Sequence, residues 1–100
     1  MMITRIISAP RPDTIALLLR RMVPEVRKQV ECRHFDTIGL IQMDLPSLFY
    51  YTDIAQKSGD VTAVEIIGNC PQHLNTVALL GSNEAVNAAI TAIIVAEKQR

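Results

Sequence analysis

The chain has 100 residues, ten basic and ten acidic, with a formal net charge of +0, which admits one domain and offers no overall charge excess to attract nucleic acid or anionic lipid. Apolar residues at 49% supply a core, and charged residues at 20% are too few for extended disorder. No apolar run reaches the roughly 18–20 residues that span a bilayer, the N-terminus lacks the layout of a secretory signal, and two cysteines make no disulfide framework, so the expectation is a soluble cytoplasmic protein with reduced thiols and no membrane contact.

Residues 3–8 are β-branched and partly alternating and read as a short strand. Pro10 and Pro12 exclude regular pairing and mark a turn. Pro12 and Asp13 suit the first turn of a helix, in which Ile15, Leu18, Leu19 and Met22 recur at helical spacing while Arg20 and Arg21 face water. Pro24 ends this helix, and residues 25–36, with Val26 and Val30 as strong anchors, form a connector with room for a helical turn or two.

Thr37 to Met43 reads as a strand apolar on both faces, hence central. Asp44 caps a helix from Leu45 to Ser58 with Pro46 in its first turn, an inner face of Leu48, Phe49, Tyr51, Thr52 and Ala55, and Gly59 as breaker. Val61–Ile67 and Leu74–Leu80 are two further strands, joined by a loop at 68–73. Ser82 or Asn83 caps a last helix with an apolar face of Val86, Ala89, Ile90, Ile93 and Ile94 and a small-residue stripe of Ala85, Ala88, Ala92 and Ala96. The order predicts an α+β sandwich, an antiparallel sheet with helices on one face, in a single domain. Its parts are a strand and helix at 1–24, a connector at 25–36 and a βαββα core at 37–100.

No phosphate-binding glycine motif and no nucleophile elbow is present. His34 and His73 have no partner at metal-ligand spacing, and the carboxylates fall mostly on helix surfaces, so nothing forms a catalytic constellation. The distinctive segment is Gly68-Asn69-Cys70-Pro71-Gln72-His73. A loop cysteine serves as a thiolate ligand or redox thiol, or is inert beside a turn-forming proline. Tetrahedral zinc or a cuboidal iron–sulfur cluster takes about four protein ligands. One chain offers Cys32 and Cys70, far apart in sequence. A metal at Cys70 therefore needs an oligomer that brings copies of the same loop together.

The segment Ile38-Gly39-Leu40-Ile41, the helix ending Lys57-Ser58-Gly59-Asp60-Val61, and the strand to Leu80 followed by Gly81 and Ser82-Asn83-Glu84-Ala85-Val86 resemble the bacterial microcompartment (BMC) shell domain over residues 37–94. In that family a last strand bearing a Pro-Arg-Pro-His motif follows the second helix. Here Pro10-Arg11-Pro12-Asp13 stands near the N-terminus instead, with Asp13 at the usual histidine. The chain thus resembles circularly permuted BMC proteins, including the GrpU type of glycyl-radical-enzyme microcompartments.

The resemblance implies a ferredoxin-like fold and a non-enzymatic homohexamer that tiles with other shell proteins around encapsulated enzymes. It implies that Lys57 and Arg11 lie at the hexamer edge. It implies that Gly68, Asn69, Cys70, Pro71, Gln72 and His73 line a central pore. It further implies an iron–sulfur cluster, [4Fe–4S], shared between subunits through Cys70 for electron transfer or redox sensing. Two other functions stay open: an ordinary pore for small polar metabolites, and a ferredoxin-like regulatory domain binding a small effector.

Overall fold

The computed structural model describes residues 2–68 and 74–99. Its elements are β1 (Ile3–Ser8), α1 (Pro12–Leu19), α2 (Pro24–Glu31), β2 (Thr37–Asp44), α3 (Leu45–Ser58), β3 (Thr62–Ile66), β4 (Leu74–Gly81) and α4 (Asn83–Lys98). The four strands form one antiparallel sheet in the order β1-β2-β4-β3. β2 and β4 are its two inner strands, and β1 and β3 its edges.

Strand periodicity sends alternate residues to opposite faces, and both faces here are apolar. On one, Ile41, Met43, Val77 and Leu79 pack with Leu48, Tyr51 and Ala55 of α3 and Val86, Ala89, Ile90 and Ile93 of α4. Gly39 lets α4 approach β2 closely, since a Cβ there would lie 2.9 Å from Val86 Cγ1. On the other face Ile38, Val64, Ala78 and Leu80 pack with Met22 and Val30, flanked by Leu18, Leu19 and Val26.

The expected two-layer sandwich therefore holds for the long helices, while α1 and α2 cover part of the second face. The segment expected as a connector forms the eight-residue helix α2. Pro24 supplies its first turn and the single buried Val30 anchors it.

Helix ends follow the expected chemistry. Asp44 Oδ2 accepts from the Ser47 N–H at 3.1 Å, and Ser82 Oγ from the Ala85 N–H at 3.1 Å. One inner-face assignment differs. Leu48, Tyr51 and Ala55 are buried, but Phe49 is 68% exposed. A stripe at i, i+3 and i+7 leaves position 49 on the flank of the helix.

Candidate functional site

The segment 68–73 joins two neighbouring antiparallel strands, β3 and β4, whose last described pair is Ile66–Thr76. Gly68 is exposed at the end of β3. Asn69, Cys70, Pro71, Gln72 and His73 lie outside the described residues. The stem of the loop is fastened to α1: the Ile67 N–H donates to the Arg21 carbonyl at 2.7 Å. A helix C-terminus has unsatisfied carbonyls to offer, and here the chain just past that end meets the strand leading into the loop.

Arg11 and Lys57 sit at the other end of the sheet. Arg11 is exposed at the N-cap of α1 and makes no side-chain capping bond. The chain before it is held by the Ala9 N–H donating to the Asp36 carbonyl at 2.9 Å, while the Asp36 N–H donates to the Gly81 carbonyl at 3.0 Å. Lys57 lies in the last turn of α3 and is 75% exposed. Its ammonium pairs with Asp53 Oδ2 at 2.6 Å, and this hydrogen bond together with the carboxylate's charge raises its pKa above the ordinary lysine value. Gly59, two residues on, abuts the first turn of α4 at Ala85.

β4 runs its eight residues between these two ends, roughly 25 Å at about 3.3 Å per residue. The residues expected at a rim thus share one end of the sheet, and the described residues that flank the loop expected at an axis, Ile67 and Gly68, follow β3 at the opposite end.

Among the described residues no group of three or more His, Cys, Asp or Glu side chains could hold a metal ion. Cys32 is exposed and free at the C-cap of α2. His34 Nε2 lies 3.0 Å from Asp36 Oδ1, with both side chains exposed. Neither is gathered with the loop. No described helix is long and apolar enough to cross a membrane.

Sequence reasoning did not single out Leu17, Arg20 and Arg21 beside the loop stem. A sequence pattern shows that a pair of arginines faces water, and not which strand end it meets.

No family model matches the chain, and no curated protein matches it. Among solved structures it is similar to the ligand-free GrpU microcompartment shell protein from Pectobacterium wasabiae. The identity is 41%, over 91% of this chain and 98% of that one, with a TM-score of 0.73. It is also similar to the ligand-free GrpU microcompartment shell protein from Clostridiales bacterium 1_7_47FAA, at 28% identity over 96% of this chain and 92% of that one, with a TM-score of 0.69.

Proposed function

The chain belongs to the GrpU microcompartment shell proteins, and from that premise we propose that it is a non-enzymatic hexameric tile with loop 68–73 at its six-fold axis and an iron–sulfur cluster held there by Cys70. In this proposal hexamers pack beside other shell proteins into a layer enclosing enzymes in the cytoplasm, with Lys57 and Arg11 at the mating edges.

The observation that carries the proposal is the polarity of the sheet. A ring with a pore needs one end of each subunit at the axis and the other at the perimeter, and a closed ring of identical head-to-tail contacts delivers that arrangement. The described stem of the loop, Ile67 and Gly68, and the pair Lys57 and Arg11 stand at opposite ends of β4.

The donor set bears on the cluster. Each chain brings one thiol in the loop, and the described residues of one chain offer no competing ligand group. Cuboidal clusters are held by about four thiolates, so loops from several chains must supply them. Six cysteines around one axis exceed that need. A four-iron cluster cannot obey six-fold symmetry, so only some of the six ligate it. A bound cluster supplies one-electron transfer across the layer, or redox sensing, without a metabolite channel.

The permuted chain order belongs to the same proposal. Met2, just before β1, packs against the buried cluster that contains Ile93 of α4, as do Ile94 and Ala96 near the end of that helix. A strand appended after α4 could therefore reach the place that β1 occupies, and short spans between termini make such a rearrangement structurally mild.

Native mass spectrometry of protein purified without oxygen tests the proposal. The expected species is six chains of 11.1 kDa each with the added mass of iron and sulfide, the added mass being absent from Cys70→Ser. A bare hexamer would remove the cluster and return the pore to small polar metabolites. A monomer or trimer would remove the hexamer itself.

A further inference from the structure

A cavity of about 410 Å³ opens beside the loop stem, lined by Leu17, Arg20, Arg21 and Ile67. Its size falls in the range of small-molecule sites, roughly 300–1,000 Å³. Arg20 is the C-cap of α1, and Arg21 follows in the turn whose carbonyl accepts the Ile67 N–H. That bond fixes the cavity's two walls against each other.

Two of the four lining side chains are apolar and accessible, Leu17 being 63% and Ile67 45% exposed. Among the described residues the two arginines are uncommitted. Lys57 is paired with Asp53, Arg27 with Glu31, and Arg33 donates to Thr62. Among the described residues Arg20 and Arg21 make no ion pair or side-chain hydrogen bond, and none of those that line the cavity is acidic. A guanidinium presents a planar fork that matches carboxylate or phosphate oxygens two at a time. Two such forks in a concavity concentrate positive potential, and the leucine and isoleucine beside them receive apolar surface.

We propose that the cavity formed by Leu17, Arg20, Arg21 and Ile67 binds a small organic anion, a carboxylate or phosphate ester on a short apolar body, at the stem of the 68–73 loop. The binding chemistry stands on this chain alone. Its placement around a pore mouth, six sites to a ring, rests on the proposed hexamer. An anion seated there touches Ile67, the residue before Gly68.

Isothermal titration of the full-length protein with phenyl phosphate, benzoate, benzylamine and inorganic phosphate tests this. Phenyl phosphate and benzoate are expected to bind saturably, phenyl phosphate more tightly than inorganic phosphate, with no binding of benzylamine. The double variant Arg20→Gln/Arg21→Gln is expected to weaken phenyl phosphate by about tenfold or more. Leu17→Ser is expected to weaken phenyl phosphate more than inorganic phosphate. Both variants alter exposed side chains, and an unchanged thermal melt and native mass establish that they fold.

Absence of saturable binding at millimolar concentration, equal binding of benzylamine, or undiminished binding by the double arginine variant would each overturn the proposal. Inorganic phosphate binding as tightly as phenyl phosphate would overturn the part assigned to Leu17 and Ile67. The same titration on Cys70→Ser separates the two sites. Anion binding without iron in the parent protein defeats the cluster and leaves this site, and an iron-bearing hexamer that binds no anion does the reverse.

Discussion

Gly59 lies against the backbone of Ala85 so closely that a Cβ at position 59 would be 2.4 Å from the Ala85 carbonyl oxygen. The φ of Gly59 is −150°, extended backbone open to any residue, so the demand for glycine is one of space. Backbone cannot rotate aside as a side chain can. Gly59→Ala is expected to destabilise the fold by about 1–3 kcal/mol, read as a lower urea midpoint at unchanged slope. Gly39→Ala meets Val86 Cγ1 at 2.9 Å and the Ile90 side chain at 3.3 Å, groups that can yield, and is expected to cost less. The reverse order would mean that α3 and α4 do not approach as described.

Asn83 ties three elements at the same end of the sheet. Ser8 Oγ and Thr37 Oγ1 donate to its Oδ1 at 3.1 and 3.2 Å, and Asn87 Nδ2 donates to its main-chain carbonyl at 2.7 Å. Thr37 is buried, so losing the acceptor strands a hydroxyl away from water. Asn83→Ala is expected to cost about 1–3 kcal/mol. Adding Thr37→Val to that variant is expected to recover part of the loss, because the stranded hydroxyl is removed with it. A thermal double-mutant cycle with no recovery would refute the Thr37–Asn83 bond.

Ala9 has a φ of +48° between β1 and α1, a conformation that the Cβ of an L-residue opposes. Ala9→Gly relieves this at the cost of a more flexible unfolded chain. A net stabilisation of about 0.5–1 kcal/mol is expected, measured by chemical denaturation. A destabilised glycine variant would show that position 9 does not hold the left-handed conformation.

Two exposed groups give opposite pH behaviour. The Asp44 side chain accepts from Ser47, which lowers its pKa below the ordinary aspartate value. The unfolded chain then holds the proton more readily, so the cap's contribution is present above the ordinary aspartate range, about 4, and is lost as pH falls through the lower folded value. Lys57 is raised by Asp53. Its contribution is present below the ordinary lysine value of about 10.4 and is lost as pH rises through the higher folded value. Asp44→Ala is expected to flatten the acid limb of stability below about pH 4, and Lys57→Met the alkaline limb above about pH 10. Both effects are small and shrink in high salt. A limb unchanged by its substitution would refute that pairing.

Lys57→Ala also tests the proposed edge. Sheets between hexamers are expected to weaken while the hexamer persists, scored by electron microscopy and native mass. A variant that tiles as well as the parent would place the edge elsewhere.

Much of the fold is legible in local pattern. The bounds of α3 follow from Asp44, Pro46 and Gly59, and the inner position of β2 from its apolar residues on both faces. That same two-faced strand already calls for cover on both sides, supplied on the second face by α1 and α2. The helix α2 was harder to read because Val26 and Val30 are few anchors among charged neighbours. The exposure of Phe49 follows from its angle on the helix rather than its hydrophobicity. Arg20 and Arg21 gain meaning only from the Arg21–Ile67 bond, a contact between residues 46 positions apart in the chain. The chemistry proposed for Cys70 depends on neighbouring copies, which the periodicity of a single chain does not encode.

The span of β4 has a consequence for how such a layer keeps its lattice constant. In a ring assembled as proposed, this strand acts as a ruler from centre to perimeter, and its eight residues are gauged by pairing with an equally long β2. The stem at Ile67 and Gly68 stands at one end of the ruler, and the Asn83 contacts and the proposed rim residues stand at the other. Loop residues can then be exchanged freely while the pitch of the mosaic stays the same, so tiles with different central chemistry can interleave in one sheet. Lengthening both inner strands by a residue pair would change the pitch and exclude the tile from its neighbours.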